Sequence, residues 1–224
     1  MAIRAVAHRG DPYVHRENTL PSIRSAWRAG ASTVEIDIRL TRDGVPVLLH
    51  DATLERLWGH HRALSSVTAE ELRSLTGGGV PTLAEALASS DGSGQLFLDL
   101  PDPAAAGAAV AAVRAAGAGG RVSWCGATAS LREVRRADPE AEIALTWTTL
   151  TPPRPALLAA VTPRWLNYRF GLVTPERVAR DHAEGFLVSA WTADTAWTMR
   201  RLVRAGVDSI TTNRVRVLRG LVGG

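Results

Sequence analysis

Short apolar runs rich in β-branched residues alternate with helix-length segments along nearly the whole chain, and this alternation limits its possible folds more than any other feature. The pattern predicts strands over Ile3–Ala7, Thr33–Leu40, Val45–Leu49, Leu96–Leu100, Val122–Trp124, Ile143–Thr146, Trp165–Tyr168, Phe186–Trp191 and Ser209–Thr211. Between them it predicts helices over Leu20–Ala29, Ala69–Leu75, Leu83–Ala88, Ala104–Ala116, Ser130–Ala137, Pro155–Ala160, Pro175–Glu184 and Ala196–Ala205. Gly30, Gly117, Gly185 and Gly206 stand where helices need a left-handed end, and Thr128, Thr174 and Asp194 stand where N-caps belong. Strands separated by helices imply parallel pairing, because a parallel return needs a long crossover. Val45–Leu49 follows its predecessor too closely for that and must turn back on it. Setting it aside leaves eight strands, the number of a TIM (β/α)₈ barrel with a short hairpin insertion after the second strand. An open doubly wound sheet is the alternative.

The 224 residues fit one barrel, and no composition shift marks a boundary, so a single domain over 1–224 is expected. The Ala/Gly-rich stretch Ala104–Gly120 reads as a close-packed helix carrying Val110 and Val113, not as a linker. The sequence has no Lys, and its Arg residues are scattered, so a net charge of +4 does not form the basic stripe that nucleic acid requires. No uncharged apolar run approaches the roughly 18 residues of a membrane span. Cys125 is the single cysteine, and Arg4, His8 and Arg9 occupy the place of a secretory apolar segment, so a cytoplasmic protein is expected.

The densest polar chemistry lies in Thr33–Leu40, where Glu35, Asp37 and Arg39 alternate with apolar residues. Period-two alternation points both carboxylates to one face. On an edge strand that face is simply solvated; inside a barrel, paired negative charges need a cation, a basic group or a shared proton. Asp43-Gly44 reads as a two-residue type I′ turn, which pairs Leu40 with Val47, Arg39 with Leu48 and Asp37 with His50. His8 ends the first strand and Asp99 lies near the end of another, both at the C-terminal mouth of a barrel. Two imidazoles beside carboxylate oxygens make a set suited to proton transfer and to Mg²⁺ or Ca²⁺ rather than zinc.

These residues carry a family resemblance. Ala7-His8-Arg9-Gly10, Glu17-Asn18-Thr19, Glu35-Ile36-Asp37, Thr41-Arg42-Asp43-Gly44, Val47-Leu48-Leu49-His50-Asp51, Leu54-Glu55-Arg56 and Val80-Pro81-Thr82-Leu83 follow one another in order. Ala190-Trp191-Thr192 and Gly206-Val207-Asp208-Ser209-Ile210-Thr211-Thr212-Asn213 complete the set. The chain resembles the glycerophosphodiester phosphodiesterases of lipid metabolism nearly from end to end. The resemblance implies a TIM barrel with a divalent cation, Mg²⁺ or Ca²⁺, on Glu35, Asp37 and the third-strand carboxylate Asp99. His8 and His50 would be the acid/base pair, Arg9 would hold the phosphate of a small phosphodiester, and Glu17 and Trp191 would lie near the substrate. The glycerol's own hydroxyl would attack phosphorus, giving a cyclic phosphate that water opens.

Some positions depart from the pattern. Asp99 stands where the family usually has Glu, Pro101 where it has Lys, and Asn213-Arg214-Val215 where it has Asp-x-Pro. Asp99 and Pro101 motivate a second reading, a silent barrel that binds a phosphorylated metabolite, and the shared barrel and two-His arrangement motivate a third, a phospholipase-D-like lyase on lysophospholipids. Thr19 is expected to cap the helix that follows it, and Trp124, Trp147 and Trp191 either line the mouth or pack behind it.

Overall fold

The computed structural model describes residues 3–89 and 94–223, so the outermost positions of the expected 1–224 domain lie outside the described residues. Nine strands form: β1 Arg4–His8, β2 Thr33–Leu40, β3 Pro46–Leu48, β4 Gln95–Leu100, β5 Val122–Gly126, β6 Glu142–Trp147, β7 Trp165–Arg169, β8 Leu187–Trp191 and β9 Ser209–Thr212. Their order is β1-β9-β8-β7-β6-β5-β4-β2, and parallel pairing of β1 with β2 closes the sheet into a barrel. β3 adds to β2 antiparallel, outside the closed ring. Every expected strand is present, and closure decides between the barrel and the open sheet. Among the described residues, no helix is long and apolar enough to cross a membrane.

Strand pleat sorts the side chains into two cores. Residues such as Ile36, Leu98, Trp124, Leu145 and Ile210 face outward and pack beneath the helices. Val6, Phe97, Cys125, Ala144 and Trp165 face inward and plug the barrel axis. Trp124 is therefore buried away from the mouth: its neighbour Cys125 takes the interior position, and alternation sends the indole to the helix layer. Ala106–Ala115 is indeed a helix, burying Ala106, Ala109, Val110 and Val113.

Three local expectations change. The hairpin has a three-residue loop, Arg42-Asp43-Gly44, closed by Thr41 N–H to the Val45 carbonyl at 3.1 Å, with Gly44 left-handed at φ 79°. Thr41 Oγ1, which accepts the Val45 N–H at 3.0 Å, stabilises this longer turn over the two-residue form. The register consequently moves by one, pairing Arg39 with Val47 and Leu40 with Pro46, while Leu49 N–H donates to the Asp37 carbonyl. Asp194 does not cap Ala196–Ala205; Thr195 does, accepting from Thr198 N–H. Thr128 is the first residue of its helix, and Ala127 precedes it without a side-chain cap. Thr19 and Thr174 cap as expected.

Two helices were not legible in advance, Glu55–Trp58 within the insertion and Val215–Val222 after the last strand. The second buries Val215 and Leu218, one turn apart, against the core. Leu98 is fully buried in the layer between barrel and helices. Leu98→Ala is expected to cost about 2–5 kcal/mol of folding stability, read by urea denaturation with an unchanged m-value.

Candidate active site

The parallel register brings the polar ends of β1, β2 and β4 together: His8 is the neighbour of Glu35, and Asp37 of Asp99. Glu35, Asp37 and Asp99 each offer one oxygen, and these oxygens lie within 4.8 Å of one another. They line a cavity of about 260 Å³ at the C-terminal mouth, together with His8, Arg9, His50 and Trp191. Thr146, Asn167 and Thr211 also line it.

Glu35 and Asp37 are only 5% and 2% exposed. Three full charges that close repel by at least about 3 kcal/mol per pair, even at an effective dielectric of about 20. Summed, that repulsion rivals the whole stability of a domain, roughly 5–15 kcal/mol. The site answers partly by holding protons. Burial, then the charges of Asp37 and Asp99, hold the Glu35 carboxyl well above its ordinary range, and burial, then Asp37, push Asp99 up to about 6. Three converging hard oxygens with excess negative charge, two of them on buried side chains, fit a divalent cation of the Mg²⁺ or Ca²⁺ kind. Among the described residues, this is the one such group.

The loop after β1 supplies the compensating cation. Arg9 adopts φ 55°, which turns its backbone N–H onto Glu35 Oε2 at 3.1 Å. Its guanidinium donates to Glu17 Oε1 at 3.0 Å and stands 3.1 Å from Asp37 Oδ2. Asn18, also left-handed at φ 56°, donates to Asp37 Oδ2 at 2.7 Å and accepts the Asp37 backbone N–H at 3.1 Å. Two non-glycine residues in this region concentrate strain where the surrounding bonds hold it. Gly10, at φ 90°, must be glycine: a Cβ there would lie 2.3 Å from Ser22 Oγ, which itself donates to the Arg9 carbonyl.

The two imidazoles are held differently. His8 Nδ1 lies 2.8 Å from Asn213 Oδ1 and its Nε2 lies 3.9 Å from Glu35 Oε2. Burial, then the Arg9 charge, hold its pKa below the ordinary value. His50 Nδ1 lies 2.7 Å from Asp51 Oδ1. Arg56 donates to Asp51 through Nε at 2.6 Å, and this bond, followed by that of His50, holds Asp51 down to about 2 despite its partial burial. Arg56 also donates to Glu17 at 2.7 Å. Glu17 thus stands behind Arg9 and bridges it to Arg56, so a chain of polar contacts runs from His50 through Asp51, Arg56, Glu17 and Arg9 to Asp37.

The structure gathers His8, His50, Arg9, Glu35, Asp37, Asp99 and Trp191 around one cavity, with Glu17 one contact behind. His50 reaches it although the strand register moved, because β3 ends at Leu48 and the chain leaves the pleat before His50. Asp51, Arg56, Asp194 and Asn213 were not anticipated at the site. The signal for Asp51 and Arg56 was their place in the ordered motifs. Thr146, Asn167 and Thr211 follow from interior alternation along β6, β7 and β9.

A model of the glycerophosphoryl diester phosphodiesterase family matches residues 8–217. The chain belongs to this family. Glycerophosphodiester phosphodiesterase 1 of Bos taurus is 39% identical over 98 residues, a stretch covering 38% of this chain and 30% of that protein. The chain thus aligns with less than a third of that relative's length. The glycerophosphodiester phosphodiesterase of Caldanaerobacter subterraneus is 28% identical over 240 residues, covering 99% of this chain and 98% of its own. A crystal structure from Silicibacter pomeroyi, assigned to the same phosphodiesterases, superposes with a TM-score of 0.87 at 26% identity, covering 98% of this chain and 94% of that one.

Glu35 and Asp99 bind protons in the folded chain at pH values where the unfolded chain has released them. Their contribution to stability is therefore present at low pH and is lost as pH rises through about 6 for Asp99. A divalent cation needs the ionised forms. Ca²⁺ or Mg²⁺ is expected to raise the melting temperature of chelator-treated protein more at about pH 7.5 than at about pH 5. Equal shifts at both pH values would place the ion elsewhere.

Proposed function

We propose that the cavity hydrolyses a small glycerophosphodiester to glycerol phosphate and an alcohol. The observation that carries this reading is the convergence of two imidazoles, a cationic guanidinium and three carboxylates, two of them buried, on one cavity about 260 Å³ in volume. Family membership supports this reaction class.

Glu35, Asp37 and Asp99 would hold the divalent cation, Mg²⁺ or Ca²⁺. When bound, such a cation supplies positive charge to the non-bridging phosphate oxygens. Arg9 faces the same cavity and supplies a second positive charge, fixed in place by Glu17 and Asp37. One imidazole takes the proton of the attacking hydroxyl, and the other returns a proton to the departing alkoxide. Asn167 Oδ1 and Thr211 Oγ1 are buried without a hydrogen-bond partner. Lining the cavity, they offer acceptors for the hydroxyls of a polyol. Trp191 and Phe97 supply apolar wall. The reading of a silent binding barrel drew on the shortened third-strand acid, yet Asp99 lies within the carboxylate group.

A panel of glycerophosphodiesters assayed with and without chelator tests reaction, metal need and headgroup together. Turnover that needs a divalent ion and yields glycerol phosphate is expected. His8→Ala and His50→Ala are each expected to lower kcat by about 10²–10⁴-fold with an unchanged circular dichroism spectrum. Full activity in both variants would overturn the acid/base assignment.

A further inference from the structure

Behind His8 lies an arrangement whose hydrogen-bond logic permits a single reading. Asp194, in the loop after β8, receives the Asn213 backbone N–H at 2.8 Å, the Asn213 side-chain NH₂ at 2.7 Å and the Thr212 hydroxyl at 3.1 Å. A carboxylate that accepts three donors dictates that the Asn213 amide turns its NH₂ toward it. The amide oxygen must then face His8, 2.8 Å from Nδ1. That oxygen can only accept. The imidazole proton accordingly resides on Nδ1, and the lone pair on Nε2, the nitrogen nearer Glu35, faces the cavity. The two tautomers carry equal charge, so the question is which nitrogen holds the proton.

We infer that Asp194 and Asn213 are positioning residues that lock His8 in its Nδ1–H tautomer, leaving Nε2 as the proton acceptor for the attacking hydroxyl. The inference rests on the proposed function for the role of His8 and adds the nitrogen and the two residues that select it. In the step itself the hydroxyl O–H bond breaks and an Nε2–H bond forms. Asn213 Oδ1 keeps the Nδ1–H throughout, so the ring does not rotate as it gains charge. His50 has a carboxylate, Asp51, where His8 has an amide, which makes the two imidazoles non-equivalent partners.

The test reads the tautomer directly, by ¹⁵N NMR of the imidazoles in the full chain without substrate, with His8 assigned by its loss in His8→Gln. In Asp194→Asn, the new carboxamide spends its oxygen on the Asn213 backbone N–H and the Thr212 hydroxyl, and presents its NH₂ to Asn213. The Asn213 amide must flip, offering NH₂ to His8, and the imidazole proton moves to Nε2. The expected result is an exchange of the two His8 nitrogen signatures, a fall in kcat of about a hundredfold, and a KM within about threefold of wild type. Adding Asn213→Asp to this variant restores an acceptor for both neighbours, and is expected to recover the Nδ1–H signature and most of kcat.

Retention of the Nδ1–H form in Asp194→Asn, or a double variant no better than the single one while both melt like wild type, would overturn the inference. A tautomer that exchanges while kcat stays unchanged would overturn it as well. Loss of turnover on every glycerophosphodiester in the wild-type chain, with the tautomer exchanging as stated, would instead strike the proposed function.

Discussion

Mutual repulsion among Glu35, Asp37 and Asp99 is the constraint around which the mouth of this barrel is arranged. No packing of apolar groups offsets three neighbouring carboxylates, two of them buried, so the loop after β1 and the thiol of β5 are turned toward them. Arg9 bends into a left-handed conformation to give Glu35 its backbone N–H and Asp37 its guanidinium. Asn18 does the same for both the side chain and the backbone of Asp37. Even the buried thiol of Cys125 turns to Asp99, at 3.6 Å, and is held far above its ordinary pKa, first by burial and then by the carboxylates. It is therefore inert as a nucleophile at neutral pH.

The barrel beneath can tolerate this because most of its two apolar layers lies away from the mouth. Outward residues of every strand pack under helices, and the axis is plugged below the acidic group by Val6, Phe97, Cys125, Ala144 and Trp165. Most of the apolar burial thus lies below and around the mouth, where only Phe97 and Cys125 reach the cavity, while the polar groups gather at the C-terminal ends of the strands and in the loops after them. The Gly10 approach to Ser22 shows how closely the two regions meet.

Much of this was legible from residue order because local rules and the fold agree. Alternation in Thr33–Leu40 correctly put Glu35 and Asp37 on one face, and strand periodicity located all nine strands. What failed was turn chemistry: the Thr41 hydroxyl stabilises a three-residue loop, and one residue of difference reverses which side chains share a face. Helices as short as Glu55–Trp58 carry too few residues for a period to register. Asp194 invited an N-cap reading because local sequence cannot show that Asn213, arriving from the next strand, competes for it. Partners distant in sequence are set by barrel closure, which no local pattern encodes.

The hairpin that carries His50 sits outside the closed ring of strands, tied to it by the ladder with β2 and by the ionic relay through Asp51, Arg56 and Glu17. One of the two imidazoles that line the cavity therefore belongs to an appendage rather than to the ring of strands. The make-up of the mouth thus depends on the seating of that hairpin, anchored by buried Leu48, as well as on closure of the ring.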